Sequence, residues 1–364
     1  MQNIGILKIN ETAEKNPSCI RFDKGSAKFP FPEEFFPLLE KVKKKIKGRY
    51  FHYPKTGGED KLKEQIVKFE AQNGRQISPR NITITHGGMS GLFAFFYLLL
   101  KTGDEVITSR YCFEGFSLLI DHFKLFQKRV DLSKIGDIEK AVTSKTKAII
   151  LNSPENPTGK VYSQEEIEKI VDLAKKRKLW VLSDEVMNRI VYEGAERYGP
   201  SFEGQVVVVN SFSKMWFIPG IRVGWLVTKK EKLSEEFSNF ISIQSIGVNL
   251  FSQLLMAEIL EKIDFEKFLE RRLKTLFQRK KIFEQNLKEN EIDYLSRVEG
   301  GMNFYVNLRQ DAAKLASKIL KEGKVAFIPG VLFEGRPSTY ARFGFGGVTE
   351  EGIIRGIKIV SNFL

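Results

Sequence analysis

The chain has 364 residues, of which 42% are hydrophobic and 28% charged, as expected for a soluble globular protein of two or three domains. Its net charge is +13, but basic residues alternate with glutamates along helix-like stretches such as "EEIEKIVDLAKKRK", so we expect no nucleic-acid partner. The longest apolar run, "LFAFFYLLL" at 92–100, is about half of the roughly 20 residues that cross a bilayer, so no membrane span is expected.

Cysteine and histidine are scarce. Cys19 and Cys112 are the only cysteines, and His52, His86 and His122 lie far apart without an HExxH motif. Two cysteines cannot build a disulfide framework or a four-cysteine zinc site, so we expect no metal, and the histidines are assigned structural roles. The N-terminus lacks a basic head followed by an apolar segment, which predicts a cytoplasmic protein.

The middle of the chain alternates short β-rich runs with helical ones. The predicted strands are 81–85, 104–109, 146–154, 179–185, 206–213 and 222–228, and the predicted helices between them are 90–101, 114–126 and 163–177. Strands that are apolar throughout and separated by helices indicate a mostly parallel sheet covered on both faces.

The C-terminal part has a different pattern. Residues 230–292 are predicted to be helical, and strands at "MNFYVNL", "VAFIPG" and "YARFGFGG" then alternate with helices at 311–322 and 349–363. This order predicts a smaller α+β domain. The N-terminal residues lack a core of their own, so we expect a large α/β domain at 46–255 and a discontinuous small domain at 1–45 and 256–364.

Ligand sites in open α/β sheets form beyond the carboxyl ends of the strands. The first candidate is "HGGMSG" (86–91), where glycines at a helix start expose N–H groups that favour a phosphate. The second is "ENPTGK", where Pro157 keeps Asn156 out of the helical region and near the sheet edge, so that the amide could donate to a ligand oxygen. Taken alone, each could also be an ordinary turn.

Two further strand ends carry charged side chains. Asp184 ends "LWVLSD", and a partly buried carboxylate there needs a cationic partner such as a protonated ring nitrogen, although a helix cap is an alternative. Lys214 follows "VVVVNSFS", and a lysine near a cation and away from bulk water becomes nucleophilic at neutral pH. Arg222 could bind a phosphate through two hydrogen bonds. Together these groups are the handles of pyridoxal 5′-phosphate.

The chain resembles the class I/II aminotransferases, the aspartate-aminotransferase-like branch of fold-type-I pyridoxal-phosphate enzymes. The resemblance is carried by "NSPENPTG", "SDE" and "SFSKMWFIPGIRVGW" in order, with "GSAKFPFP" near the start and "ARFGFGG" near the end. It implies a large domain with a mostly parallel seven-stranded sheet between helices, a smaller α+β domain, and transfer of an amino group from an L-amino acid to a 2-oxo acid.

The resemblance also implies roles for individual cofactor-binding residues. Lys214 would form the Schiff base with the cofactor and then transfer the proton, and Asp184 would keep the pyridine nitrogen protonated. Asn156 would bind the ring oxygen and also contact substrate, and Phe113 would stack on the ring. The phosphate would be held by Gly88, Met89, Ser211 and Arg222.

The remaining implied roles concern the substrate and a second subunit. Arg342 would bind the substrate α-carboxylate, and Gly25 lies in the N-terminal substrate segment. Tyr53 in "HYPKTGG" matches a tyrosine that reaches the phosphate of the neighbouring subunit, which implies a homodimer with shared active sites.

Two positions depart from the family pattern. Met187 replaces the usual tyrosine donor to the ring oxygen, so we expect a higher pKa for the Schiff base, because a thioether cannot donate. Met89 replaces a lysine that often binds a distal carboxylate, and no arginine occurs between Arg222 and Arg271 to do so from a partner. These departures favour neutral or aromatic donors, with glutamate as a possible shared co-substrate.

One alternative stays open at this point, and two others are disfavoured. A carbon–sulfur β-lyase or an amino-acid (phosphate) decarboxylase could use the same scaffold, because the orientation of the substrate decides which bond breaks. A sensor without catalysis would usually carry an added DNA-binding domain, for which the sequence offers no room. A plain nucleotide-binding protein is disfavoured, because neither GxGxxG nor a P-loop lysine motif is present.

Overall fold

A computed structural model describes residues 6–48 and 51–364. Its centre is a seven-stranded sheet. The strands are β2 (Ile82–Thr85), β3 (Glu105–Ser109), β4 (Phe126–Val130), β5 (Thr146–Asn152), β6 (Trp180–Asp184), β7 (Gln205–Ser211) and β8 (Gly224–Val227), after a short β1 (Ile20–Arg21) outside this sheet.

The order across the sheet is β2-β8-β7-β6-β5-β3-β4. Strand β8 is antiparallel to both of its neighbours, and the other pairs are parallel. The central strands β5, β6 and β7 are buried almost throughout, as expected for a sheet that has helices packed on both faces. The predicted α/β fold with a mostly parallel sheet is therefore confirmed.

The helices follow the chain as α1 (Ile6–Glu14), α2 (Phe36–Ile46), α3 (Asp60–Ala71), α4 (Gly87–Leu99), α5 (Glu114–His122), α6 (Ile135–Ala141), α7 (Gln164–Arg177), α8 (Phe212–Met215), α9 (Glu231–Ser245), α10 (Leu250–Lys262), α11 (Phe265–Glu289), α12 (Ala312–Glu322), α13 (Val331–Glu334) and α14 (Glu350–Ser361). Their ends follow local chemistry: Ser163 and Glu166 form a capping box at the start of α7, and Lys178 ends it in the left-handed conformation. Within the described residues no helix is long and apolar enough to cross a membrane.

Two smaller sheets lie apart from the large one, and one of them joins the N-terminal segment to the C-terminal part. The antiparallel sheet β11-β12-β9 is made of β9 (Asn303–Asn307), β11 (Ile328–Pro329) and β12 (Tyr340–Gly344), and β1 pairs in parallel with β10 (Val325–Ala326). We propose the division into domains at 46–255 and at 1–45 plus 256–364, which the β1–β10 pairing supports. Residues 1–5 and 49–50 of that division lie outside the described part of the chain.

The predicted helix 114–126 is wrong at its C-terminal end. Helix α5 stops at His122, Lys124 adopts a left-handed φ of 54°, and the chain turns into β4. This edge strand has the sequence FQKRV, and none of its residues is fully buried. The apolar pattern used for the other strands therefore missed it, because its polar side chains bind neighbouring groups instead of filling the core.

Candidate active site

The carboxyl ends of β5, β6 and β7 meet at one edge of the large sheet. Their register places Asn152 beside Asp184, and Asp184 beside Val209, two residues before Ser211 at the end of β7. The chain then leads into helix α8, which carries Lys214. Three of the predicted motifs therefore come together at the edge where ligands bind in open α/β sheets.

Lys214 lies in a partly buried position with an unusual charge balance. Its Nζ donates a hydrogen bond to the Gly25 carbonyl oxygen at 2.7 Å. Burial lowers the pKa of Lys214 to about 8, and the cations Arg342 and Arg222 act in the same direction, whereas Asp184 opposes them. A substantial share of this amine is therefore neutral near physiological pH, as a nucleophile requires.

Asp184 is a buried carboxylate that lacks a close cationic partner among the described residues. Its Oδ1 accepts a hydrogen bond from the Val186 N–H at 3.1 Å, and its side chain belongs to a residue that is 4% exposed. The pKa of Asp184 is raised to about 7, mainly by burial and also by the neighbouring Glu185, while the Val186 hydrogen bond and Lys214 act in the opposite direction. Such a carboxylate is suited to binding a protonated nitrogen that reaches it.

A cradle for an anion surrounds Arg222. This residue adopts a left-handed φ of 56°, and its Nη1 contacts the Pro219 carbonyl at 2.8 Å and Ser213 Oγ at 3.4 Å. Its Nη2 lies so close to Gly87 that an added Cβ there would be 2.8 Å away. Ser211 Oγ accepts a bond from the Ser213 N–H at 3.1 Å. Since Gly87 begins α4, the free N–H groups of that helix face the same region.

Arg342 projects from β12 into the site and is 4% exposed. Its Nη2 donates to the Asp23 carbonyl at 2.8 Å, and its Nη1 lies 3.4 Å from Asn156 Oδ1. The guanidinium lies 5.2 Å from the centre of the Phe333 ring, and an added Cβ on Gly25 would be 3.3 Å from Nη1. Burial lowers the pKa of Arg342 to about 10, so it stays cationic at neutral pH.

Asn156 is held by the end of β5. Its backbone N–H donates to Asn152 Oδ1 at 2.9 Å, while Asn152 Nδ2 donates to the Asp184 carbonyl at 3.1 Å. The Asn156–Pro157 peptide bond is cis. The Asn156 side-chain oxygen accepts from the Arg342 guanidinium at 3.4 Å, so these two predicted residues do lie together.

The other predicted site residues lie at the starts of α4 and α5 and in the segment before α3. Phe113 precedes α5 and packs edge-on against Phe116, with ring centres 5.5 Å apart. Gly88 would place a Cβ 3.1 Å from Val186, and Met89 is 43% exposed at the start of α4. Tyr53 is 73% exposed, so its ring is available to a second subunit.

Some residues in the site were missed by the sequence analysis. Ser213 contacts both Ser211 and Arg222, and its position one residue before Lys214 was a usable signal. Asn152 positions Asn156, and it could have been found by following the end of the predicted strand. Phe333 beneath Arg342 left no recognisable motif, because only the folded chain brings α13 to β12.

The sequence matches the family described as aminotransferase class I and II over residues 22–360. The chain belongs to the class I and II aminotransferases. It is 29% identical over 345 residues to an aspartate aminotransferase of Thermotoga maritima, covering 90% of this chain and 87% of that protein. It is 28% identical to a (5-formylfuran-3-yl)methyl phosphate transaminase of Methanocaldococcus jannaschii, with 100% and 97% covered.

Solved structures match this aminotransferase with TM-scores of 0.86 to 0.91. One is a Methanococcus jannaschii protein whose structure is described as similar in its active site to kynurenine aminotransferases. It has a TM-score of 0.86 and 25% identity, and the match covers 98% of this chain and 95% of that one. The predicted family, fold and transaminase activity are therefore confirmed.

Enzymes of this family depend on pyridoxal phosphate, and the geometry fits that cofactor. The decisive observation is Asp184, a buried carboxylate with only a backbone N–H as its described partner, which a pyridinium N–H would satisfy. The glycine at 87 leaves the space in which the helix start and Arg222 can hold a phosphate. Within the described residues no group of three or more His, Cys, Asp or Glu could hold a metal ion.

Proposed function

We propose that this transaminase works by a ping-pong mechanism and favours neutral or aromatic amino donors over dicarboxylic ones. The observation that carries the donor preference is Met89. Met89 is the third residue of α4, whose first turn faces the phosphate cradle. Its side chain is 43% exposed and offers no charge to a distal carboxylate. The active-site likeness to kynurenine aminotransferases reported for the Methanococcus jannaschii structure supports an aromatic donor.

A single carboxylate-binding group supports the ping-pong order. The amino donor and the 2-oxo acid acceptor both carry an α-carboxylate. Among the described residues, Arg342 is a buried cation close enough to Lys214 to lower its pKa. The two substrates therefore occupy the same place in turn. Asn156 and the Asp23 carbonyl hold the guanidinium in one orientation, which fixes the Cα–H bond relative to Lys214.

Each side chain of the site has a task in the proposed mechanism. Pyridoxal phosphate, when bound, supplies the electron sink that stabilises negative charge at the substrate Cα. Asp184 holds a proton at the ring nitrogen, and the cradle of Ser211, Ser213 and Arg222 binds the phosphate. Lys214 Nζ would hold the cofactor, and in its neutral form would take the proton from the substrate Cα and deliver it to the cofactor carbon instead of back to Cα.

We further propose a cytoplasmic homodimer in which Tyr53 completes the site of the neighbouring subunit. Its high exposure in the single chain supports this arrangement, because a tyrosine ring usually buries much of its surface.

The test is a panel of single amino acids added to the pyridoxal-phosphate-loaded enzyme, with the products of one turnover measured. We expect stoichiometric 2-oxo acid, released most efficiently from aromatic or neutral donors. Release of sulfide and ammonia would instead identify a β-lyase, and release of carbon dioxide a decarboxylase. Either result would overturn the proposed transfer reaction for that substrate.

Met89 itself provides the sharpest test of donor preference. In Met89→Lys, a charge-assisted hydrogen bond worth about 2 kcal/mol becomes possible with a distal carboxylate. We therefore expect kcat/KM for aspartate to rise at least about tenfold relative to phenylalanine. The control Met89→Leu keeps an apolar side chain and should leave this ratio unchanged. A wild-type enzyme that already prefers aspartate would contradict the proposal.

A further inference from the structure

The guanidinium of Arg129, on the edge strand β4, binds groups from three other segments. Its Nη1 donates to the Phe333 carbonyl and lies 3.3 Å from Cys112 Sγ and 3.4 Å from the Arg110 carbonyl. Its Nη2 donates to Ser117 Oγ at 2.9 Å. One side chain therefore joins β4, the loop before α5, α5 itself and helix α13 of the C-terminal part.

Both ends of this connection lead into the active site. Cys112 immediately precedes Phe113, the residue assigned to stack on the cofactor ring, and the Cys112 N–H also donates to the Phe333 carbonyl at 3.3 Å. The ring of Phe333 packs beneath the guanidinium of Arg342, the residue assigned to the substrate carboxylate. Arg129 thus contacts Cys112 and Phe333, which neighbour Phe113 and Arg342 respectively. None of its hydrogen bonds described above goes to Phe113 or Arg342.

Neighbouring residues restrict the position of this guanidinium. Gly335 ends α13 at a left-handed φ of 69°, and an added Cβ there would be 3.3 Å from Arg129 Nη2. Gln127 projects from the same face of β4, and its Nε2 donates to Thr108 Oγ1 at 2.9 Å and to Cys112 Sγ at 3.1 Å. A second donor on the same sulfur shows that the loop position is fixed by a network, not by a single contact.

We propose that Arg129 is a positioning residue, which sets the place of Arg342 relative to Phe113 by fixing α13 against the loop 110–113. The inference rests on the proposed roles of Arg342 and Phe113. A planar guanidinium can donate to a carbonyl, a sulfur and a hydroxyl at once, whereas a lysine ammonium lacks this fixed fork of donors. Small displacements of substrate-positioning groups are costly, since about 1 Å can reduce catalysis roughly 100-fold.

Three variants separate positioning from plain stabilisation. Arg129→Ala removes the whole connection, and Arg129→Lys keeps the charge but not the fork. The matched control is Lys128→Ala, on the opposite face of the same strand. That side chain pairs with Glu105 at 2.8 Å and donates to the Ala141 carbonyl at 2.9 Å, so its loss costs comparable contacts away from the site.

The measurements are KM and kcat for one amino donor, circular dichroism of the bound-cofactor band, and amide hydrogen exchange of the cofactor-free protein. For Arg129→Ala we expect KM to rise about tenfold with a smaller fall in kcat. The dichroic band should weaken, and exchange should accelerate at both 331–335 and 110–117. Arg129→Lys should recover part of each signal, and Lys128→Ala should lower the unfolding temperature without changing KM.

The proposal is overturned if Arg129→Ala behaves like Lys128→Ala, with a lower unfolding temperature but KM within about twofold of wild type. It is also overturned if exchange at 331–335 stays unchanged, because α13 is then held without Arg129. The variant Arg342→Leu separates the proposed carboxylate-binding role of Arg342 from the proposed positioning role of Arg129. An unchanged KM in that variant overturns the carboxylate role of Arg342, while the exchange result still decides whether Arg129 fixes α13.

Discussion

At the scale of single residues, the pKa of Lys214 depends on burial and on three charged neighbours. Arg342 and Arg222 lower this pKa, and Asp184 raises it. Burial has the largest influence on its pKa, and the adjacent Arg342 lowers that pKa further, while Asp184 raises it. The same guanidinium that is suited to bind the substrate therefore also keeps the amine reactive. Binding of a carboxylate to Arg342 would partly neutralise this cation and raise the pKa of Lys214 towards its ordinary value.

This electrostatic link predicts the effect of removing the guanidinium charge. In cofactor-free Arg342→Leu, the pKa of Lys214 should rise above the value of about 8 found with Arg342 present. The measurement is the rate of Lys214 acylation by an amine-reactive reagent across pH, followed by mass spectrometry. Arg342→Lys keeps the positive charge and serves as the control. An acylation midpoint that is the same in all three proteins would contradict the link.

The lowered pKa also has a consequence for stability. Between about pH 8 and its ordinary pKa of 10.5, Lys214 binds fewer protons in the folded state than in the unfolded state. The contribution of this group to the free energy of unfolding therefore increases with pH across that window. Well below pH 8 the lysine is charged in both states, and the full cost of burying the charge remains.

At the scale of elements, the start of helix α4 shows how a turn prepares an anion site. Gly87 has a φ of 73°, and Arg222 fills the space where a side chain would project. The helix can therefore begin directly beside the guanidinium, so that its free N–H groups and the positive charge serve the same ligand.

Substitution of this glycine should weaken cofactor binding in particular. In Gly87→Ala, the added Cβ would lie 2.8 Å from Arg222 Nη2 and must displace it. We expect the Kd for pyridoxal phosphate, measured by fluorescence titration, to rise roughly tenfold, as for loss of one charge-assisted hydrogen bond. Gly74→Ala is the matched control, because its φ is also 73° and no described residue lies within 4 Å of its added Cβ.

Both variants should lose about 1 kcal/mol of unfolding free energy, because alanine is strained at positive φ. Only Gly87→Ala should also lose affinity. Equal Kd values in the two proteins would show that the space beside Arg222 is unimportant for the phosphate.

The elements also show which features a sequence can predict. Buried strands such as β7 have unbroken apolar runs, and the functional side chains that follow them occur in recognisable motifs. Strand β4 has no such run, because Gln127 and Arg129 hydrogen-bond to the Phe113 loop and α13. Its partners lie far away in sequence, so no local pattern distinguishes it from the end of a helix. The same reason hid Phe333, whose importance depends on contact with Arg342.

At the scale of the whole molecule, the site is assembled from both ends and the middle of the chain. Lys214 binds the Gly25 carbonyl across 189 positions of sequence, and Arg342 binds the Asp23 carbonyl across 319. The pairing of β1 with β10 keeps the N-terminal segment beside the C-terminal part. Any change in the arrangement of these parts therefore alters the surroundings of Lys214 directly, which couples substrate binding to the overall shape.

The proposed homodimer extends this assembly to a second chain, and mixed dimers can test it. Tyr53→Ala and Lys214→Ala are each expected to be strongly impaired as pure proteins. If Tyr53 acts on the neighbouring subunit, a mixed dimer contains one site with both Lys214 and Tyr53 intact and one site lacking both. Unfolding and refolding the two variants together should then restore activity, up to about half that of wild type for each mixed dimer.

The alternative arrangement gives the opposite result. If Tyr53 served its own subunit, every site of the mixed dimer would keep one of the two defects, and mixing would restore nothing. A mixture of Lys214→Ala with a second lysine-deficient variant, Lys214→Gln, controls for effects of refolding, since no arrangement of those chains contains the lysine. Because Tyr53 is 73% exposed in the single chain, its ring is free to make the contact that this experiment detects.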